Sequence, residues 1–309
     1  MTTNIAQKLG LREKEITVPC SVFTDPTRNV GIEIEVENVD IADINADLGQ
    51  VWSVGRDGSL RPPEYSAEIK SPRSGYAGTA LLESIIAADE SIPLRSGSFS
   101  WRCATHVHVD VRDKQLDDLK YSLVLYALIE PFIFAWDGTG RHESRFCMPW
   151  WVCAEDISTA SAIARENDDH DLHNWISRFS KYTAMNLAPM NKFGTIEFRH
   201  AQGTCDKDTL IEYINICLDI INVHERATST PCIELVLEFM ESEPETFIRK
   251  WLSEGSANAL LQPTIGEIPL TTEIMERAAS TALALAELDE HIAVTTPSVL
   301  NKSILLELF

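Results

Sequence analysis

Four short stretches concentrate residues that can hold metal ions or steer phosphate. They are Glu33 and Glu35 in VGIEIEVEN, Glu68 in SAEIKSP, His106 and His108 in THVHVDVR, and Glu197 and Arg199 in GTIEFRH. Carboxylates crowded together repel and raise one another's pKa unless cations sit among them. Glu-dominated oxygen ligation with one or two imidazoles suits Mg²⁺ or Mn²⁺ better than a structural zinc. Mg²⁺ held by a few carboxylates fills its remaining positions with water and substrate phosphates. Arg199, two residues from Glu197, then supplies a fixed guanidinium for a phosphate or a developing negative charge.

The spacing of these residues dictates the element that carries them. In all four stretches apolar residues alternate with ionisable ones, the period of a half-buried strand. Val30, Ile32, Ile34 and Val36 share one face of the first, leaving Glu33, Glu35 and Glu37 on the other. Val107, Val109 and Val111 oppose His106, His108 and Asp110, and Ile69 opposes Glu68 and Lys70. Ile196 and Phe198 oppose Glu197 and Arg199. Helical periodicity predicts helices over 77–91, 113–135, 172–182 and 206–226, then several in 231–309, with Asp113 and Asp206 as N-caps. The expected fold is α+β: a mostly antiparallel sheet with a polar, metal-binding face and helices covering its apolar face. The expected organisation is a loosely structured lead-in over 1–29, a catalytic domain over 30–230 and an acidic helical extension over 231–309.

Composition narrows the function classes. The 309 residues carry 47 Asp+Glu against 26 Lys+Arg, a formal net charge of −21. This argues against passive nucleic-acid binding, which needs a clustered basic face. Residues 231–309 hold 13 of the acids and 4 of the bases, the pattern of a solvated face. Seven scattered cysteines without a CxxC pair argue against a secreted disulfide framework or a zinc ribbon. The first residues lack the apolar core of a signal peptide. The longest apolar stretch, 123–136, is interrupted by Glu130-Pro131 and reads as too short to span a bilayer. The expected setting is the cytoplasm, with no membrane partner.

The succession of motifs resembles a family. G-I-E-I-E-V-E, D-G-S-L followed by E-I-K-S-P, T-H-V-H-V-D and G-T-I-E-F-R-H are similar, in this order, to the amidoligases. These belong to the glutamine synthetase-like carboxylate–amine ligases and are related to glutamate–cysteine ligases. S-R-F-C-M-P at 144–149 and K-Y-T-A-M-N-L at 181–187 also fit, so the resemblance runs from about Val30 to Ala227. It implies a glutamine synthetase-like fold and an ATP- and Mg²⁺-dependent ligase, with Mn²⁺ as a substitute ion. Such an enzyme joins a small-molecule or peptide carboxylate to an amine through an acyl phosphate. It further implies that Glu33 and Glu35 ligate different ions. Glu68 and Asp57 would complete the first shell, and His106 and Glu197 the second. His108 would lie beside the nucleotide phosphates and Arg199 at the transferring γ-phosphate, with Arg145 and Asn186 contacting substrate or nucleotide. Glu33, Glu197 and Arg199 would be the catalytic set.

Other readings stay open on the residues alone. Any single E-x-E strand can be a solvated sheet face, and Asp57-Gly58 is also a good turn. His106-x-His108 could serve a Zn or Mn hydrolase, which leaves Glu33, Glu35 and Arg199 without a role. A catalytically dead, nucleotide- or partner-binding member is the non-enzyme reading. No Walker A or GxGxxG motif occurs. Cys103 and Cys147 read as buried thiols rather than nucleophiles, and open sheet edges leave homo-oligomerisation open.

Overall fold

The computed structural model describes residues 3–13, 17–48, 52–72, 75–92, 98–165, 169–227, 230–262 and 270–286. Six strands form one open sheet: β1 (Val30–Glu37), β2 (Ser53–Gly55), β3 (Ser66–Lys70), β4 (Thr105–Asp110), β5 (Met185–Asn186) and β6 (Thr195–Phe198). Their order is β2-β3-β1-β4-β6-β5, and every neighbouring pair is antiparallel. The architecture is therefore a mixed one of helices and an antiparallel open sheet, in line with the α+β expectation.

The helices are α1 (Ile5–Leu9), α2 (Ile41–Leu48), α3 (Gly78–Ser91), α4 (Leu116–Asp137), α5 (Ala154–Arg165), α6 (Asp169–Arg178), α7 (Met190–Phe193), α8 (Lys207–Ile221) and α9 (Val223–Ala227). The chain continues through α10 (Cys232–Glu241), α11 (Pro244–Trp251), α12 (Glu254–Leu261) and α13 (Thr272–Ala286). Ile32, Ile34, Val36, Val107, Val109, Ile196 and Phe198 are buried against this helical layer, so the alternation places the sheet's apolar side in the core. α8 packs on β4; α3 and α4 contact α8; α13 lies along α4.

Several expectations change in detail. α4 begins after Gln115, which forms a capping box with Asp118; Asp113 instead pairs with the buried Arg28. Asp206 does cap α8, through the Thr209 N–H, but the predicted single helix breaks at Asn222 into α8 and α9. The 172–182 prediction lies at 169–178, and β2 and β5 have no counterpart in the prediction. α4 runs unbroken through Glu130-Pro131 for 22 residues, correcting the interrupted stretch read from the sequence. It is long and apolar enough to cross a membrane, yet 83% of its most apolar window is buried inside the protein.

The lead-in is anchored rather than loose. α1 is capped by Asn4, and Ile5, Leu9, Cys20 and Phe23 enter the core. Arg28 ties to Asp25, Asp113 and Asn222. Leu235, Val236, Phe247, Trp251, Leu260 and Leu285 join the same hydrophobic core as the sheet, so the described part of 231–309 does not form a core of its own. Residues 287–309, including His291, lie outside the described set.

Candidate active site

Antiparallel register turns the four alternating stretches into a grid on the far face of the sheet. Glu33 stands opposite Lys70 on β3 and opposite His106 on β4. One step along, Glu35 stands opposite Glu68. One step the other way, Gly31 faces His108, which faces Glu197, which faces Asn186. Because β1 is central, Glu33 is reached from both sides.

Two donor sets emerge among the described residues. Ligand atoms of Glu33, His108 and Glu197 all lie within 4.8 Å of one another, as do those of Glu35, Asp57 and Glu68. His106 lies between the first set's carboxylates, its Nδ1 3.5 Å from Glu33 and 3.3 Å from Glu197. The Nε2 atoms of His106 and His108 are both buried without a hydrogen-bond partner. Buried polar atoms are normally satisfied, so these two imidazole nitrogens beside carboxylates are available to a further group. Donors of this kind fit a hard divalent cation. The Glu35 set is all oxygen; the Glu33 set adds one imidazole.

The electrostatics are consistent with that fit. Burial, then the charge of Glu33, pushes the Glu68 carboxyl up to about 7, even though Lys70 pairs with it. Burial also raises Glu35, despite the Ala104 N–H donated to it at 2.8 Å. Burial alone would raise Glu33 too, but its bond to His106 and the charges of His108, His106 and Lys70 hold it well below the carboxylate range. Glu197 is likewise lowered: burial is outweighed by Arg199, then His108 and His106. Burial depresses His108, which keeps an imidazole nitrogen free to act as a ligand.

Supporting residues hold these groups in place. Asn186 Nδ2 donates to Glu197 Oε2 at 2.6 Å, while its Oδ1 accepts the Ala188 N–H; it orients Glu197 from the sheet edge. Arg199 pairs with Glu197 and donates through Nε to the Phe146 carbonyl at 3.2 Å. Thr195 Oγ1 lies 3.2 Å from His108 Nδ1. Asp57 combines both of its readings: it accepts from the Ser59 N–H in a turn and faces Glu35 and Glu68. Arg145 is exposed and stacks over Phe146 outside both chambers described below.

Two chambers meet at Glu33. The larger, about 610 Å³, is floored by Gly31 and Glu33 and bordered by Lys70, His108, Arg112 and Lys192. The smaller, about 280 Å³, contains the Glu35–Asp57–Glu68 set together with His106, Arg141 and Arg199. Lys70, Arg141 and Lys192 were not singled out from the sequence. Lys70 shares Glu68's strand face and could have been; Arg141 sits in a 3-10 turn with no periodic signal. All seven cysteines are buried free thiols, and burial pushes Cys103 up to about 11 and Cys147 up to about 12, which does not suit a nucleophile.

A family model described as "Putative amidoligase enzyme" matches residues 52–221, more than half of the chain. β1, with Glu33 and Glu35, precedes the matched stretch although it forms the middle of the sheet. No curated protein matches the chain significantly.

Proposed function

The chain belongs to the amidoligase family, and from that premise we propose that it is an ATP- and Mg²⁺-dependent carboxylate–amine ligase with a glutamine synthetase-like fold. One observation carries this reading: two cation-competent donor sets at one sheet face, beside two chambers that meet at Glu33. Both the Glu33–His108–Glu197 and the Glu35–Asp57–Glu68 sets would hold Mg²⁺, with His106 beside the first. This exchanges His106 and His108 relative to the roles implied by resemblance. The ions would neutralise charge building on phosphate oxygens.

A carboxylate does not react with an amine at neutral pH because its leaving group would be oxide. Transfer of the γ-phosphoryl group forms a phosphorus–oxygen bond to the carboxylate and breaks the one to ADP. The amine then forms a carbon–nitrogen bond, phosphate leaves with the carbon–oxygen bond's electrons, and the amine proton passes to solvent. Neither step needs a covalent nucleophile from the protein; both need fixed positive charge. The larger chamber, of ordinary ligand-pocket size, takes the nucleotide, with Lys70 and Lys192 at its phosphates. The smaller takes the acid. Arg199, fixed by Glu197 and the Phe146 carbonyl, faces the transferring group from the smaller chamber. Seven buried free thiols suit a reducing cytoplasm.

Calorimetric titration of a non-hydrolysable ATP analogue, with and without Mg²⁺, tests the reading. Binding should require Mg²⁺ and weaken at least tenfold in Glu33→Gln. Absence of nucleotide binding, with zinc retained by the purified protein, would overturn it in favour of a hydrolase.

A further inference from the structure

The larger chamber runs along β1, and the period of the strand sets what stands on its floor. Asn29, the residue before β1, shares the polar face with Gly31 and Glu33, and all three border the chamber. Glu33 belongs to the cation-competent end, within reach of His108. Asn29 lies four residues back, about 13 Å along an extended chain. Between them Gly31 has no side chain, and a Cβ there would come 3.3 Å from that of His108. A glycine inside a strand often marks close approach of a ligand to the backbone. The floor is therefore clear from an ionic end to a neutral amide end.

Asn29 is only 7% exposed, yet its carboxamide has no hydrogen-bond partner among the described residues. The backbone around it is held without that side chain. The Asn29 carbonyl accepts the Asp110 N–H at 3.0 Å, and Val30 and Tyr76 exchange backbone bonds of 2.7 and 2.9 Å. Arg28 is tied to Asp25, Asp113 and Asn222. Burying an amide with neither donor nor acceptor used is costly, and such groups are ordinarily paired. The partner of Asn29 is then a group that arrives with a ligand. Its surroundings narrow that group. Asp110, next to it on β4, is held by Arg112 through both carboxylate oxygens and can only accept. Phe193 adds an aromatic ring to the same chamber.

We propose that Asn29 is the specificity-determining residue for the nucleotide's base and that it selects adenine over guanine. A carboxamide offers an acceptor and a donor side by side, which match the exocyclic amine of adenine and the ring nitrogen beside it. The second hydrogen of that amine meets the acceptor-only carboxylate of Asp110. A carbonyl oxygen in its place would meet lone pairs. The base then lies at the Asn29 end, and the chain of phosphates crosses Gly31 toward Glu33. This rests on the nucleotide-binding part of the ligase reading and adds which end of the chamber takes which end of the nucleotide. If Asn29 only braced the start of β1, the identity of the base would be indifferent to it.

The test is calorimetry on the full chain with Mg²⁺, using the β,γ-imido analogues of ATP and GTP and, as a probe without a base, inorganic tripolyphosphate. The ATP analogue should bind roughly tenfold tighter or more than the GTP analogue. In Asn29→Leu the two analogues should bind alike, while the affinity for tripolyphosphate holds. Equal affinities of the two analogues in the wild type, an undiminished preference in a folded Asn29→Leu, or loss of tripolyphosphate binding in that variant would each overturn the proposal. If Asn29→Leu fails to fold, the wild-type comparison and Asn29→Ala decide. Tripolyphosphate binding without a preference between the analogues removes the base assignment alone. A wild type that binds none of the three overturns the ligase reading together with it.

Discussion

Among the described residues Glu33 is the one side chain that faces both chambers, and its neighbours show how closely acids and bases are balanced around it. At pH 8, above the raised value of about 7, Glu68 is mostly ionised beside Glu33, so the metal-free protein carries a repulsion that a divalent cation would relieve. Glu68→Gln should therefore raise the melting temperature in EDTA at pH 8 by on the order of 2 °C, and should lose most of the gain that Mg²⁺ gives the wild type. A lower melting temperature in EDTA would show that the pairing with Lys70 outweighs the repulsion. Arg199→Ala should lower phosphoryl transfer on the order of a hundredfold or more while changing nucleotide affinity much less; equal losses would remove Arg199 from the transferring group. These chemical residues were legible because alternation exposes them: Glu33, Glu35, Glu68, His106, His108, Glu197 and Arg199 do share one face. Arg141 was not legible. Its place depends on a 3-10 turn folding back over β4 and β6, which no local period announces.

At the scale of elements, α4 links the core to the site. Glu130 is fully buried on its inner side, accepts the Trp150 N–H through both oxygens, and is joined by Tyr126, which also contacts His200 beside Arg199. Burial pushes the Glu130 carboxyl up to about 8. A carboxyl raised in the folded state keeps its proton while the unfolded chain gives it up. Stability from this group is therefore complete below the ordinary value near 4.5 and is lost as pH rises toward 8. Thermal melts from pH 5 to 8 should show that decline in the wild type and a flatter profile in Glu130→Gln; parallel profiles would mean the charge is accommodated. The longer strands and helices α3, α4 and α8 were readable from period and composition, whereas α2 and the twelve-residue α5 were not predicted. β2 and β5, three and two residues long, are too short to show a period. Asp113 is a good capping residue by type, but its carboxylate goes to the buried Arg28, and Gln115 takes the cap. Here a tertiary ion pair overrides a local preference.

Across the whole molecule, sheet, lead-in and the described C-terminal helices share one core. α13, which lies along α4, buries Ala278, Ala282 and Ala286, small side chains that permit close packing. Ala282→Leu should overpack this contact and cost about 1–3 kcal/mol in urea unfolding. Tryptophan fluorescence and far-UV circular dichroism should still report one coincident transition. Separate transitions would show that residues 231–286 unfold independently. The charge excess of that region suggested a solvated face, and its outer residues bear this out. Its inner, apolar side was invisible to a charge count.

The packing of α13 on α4 also bears on how the protein is made. Every strand of the sheet has been synthesised by residue 198, but the last described helix over α4 ends at residue 286. At ordinary translation rates that interval is on the order of ten seconds. A nascent chain would carry its complete set of site carboxylates through that interval with the apolar flank of α4 still bare. The hazard during biosynthesis is then premature sticking of α4, and chaperone demand should be greatest just before α13 emerges from the ribosome.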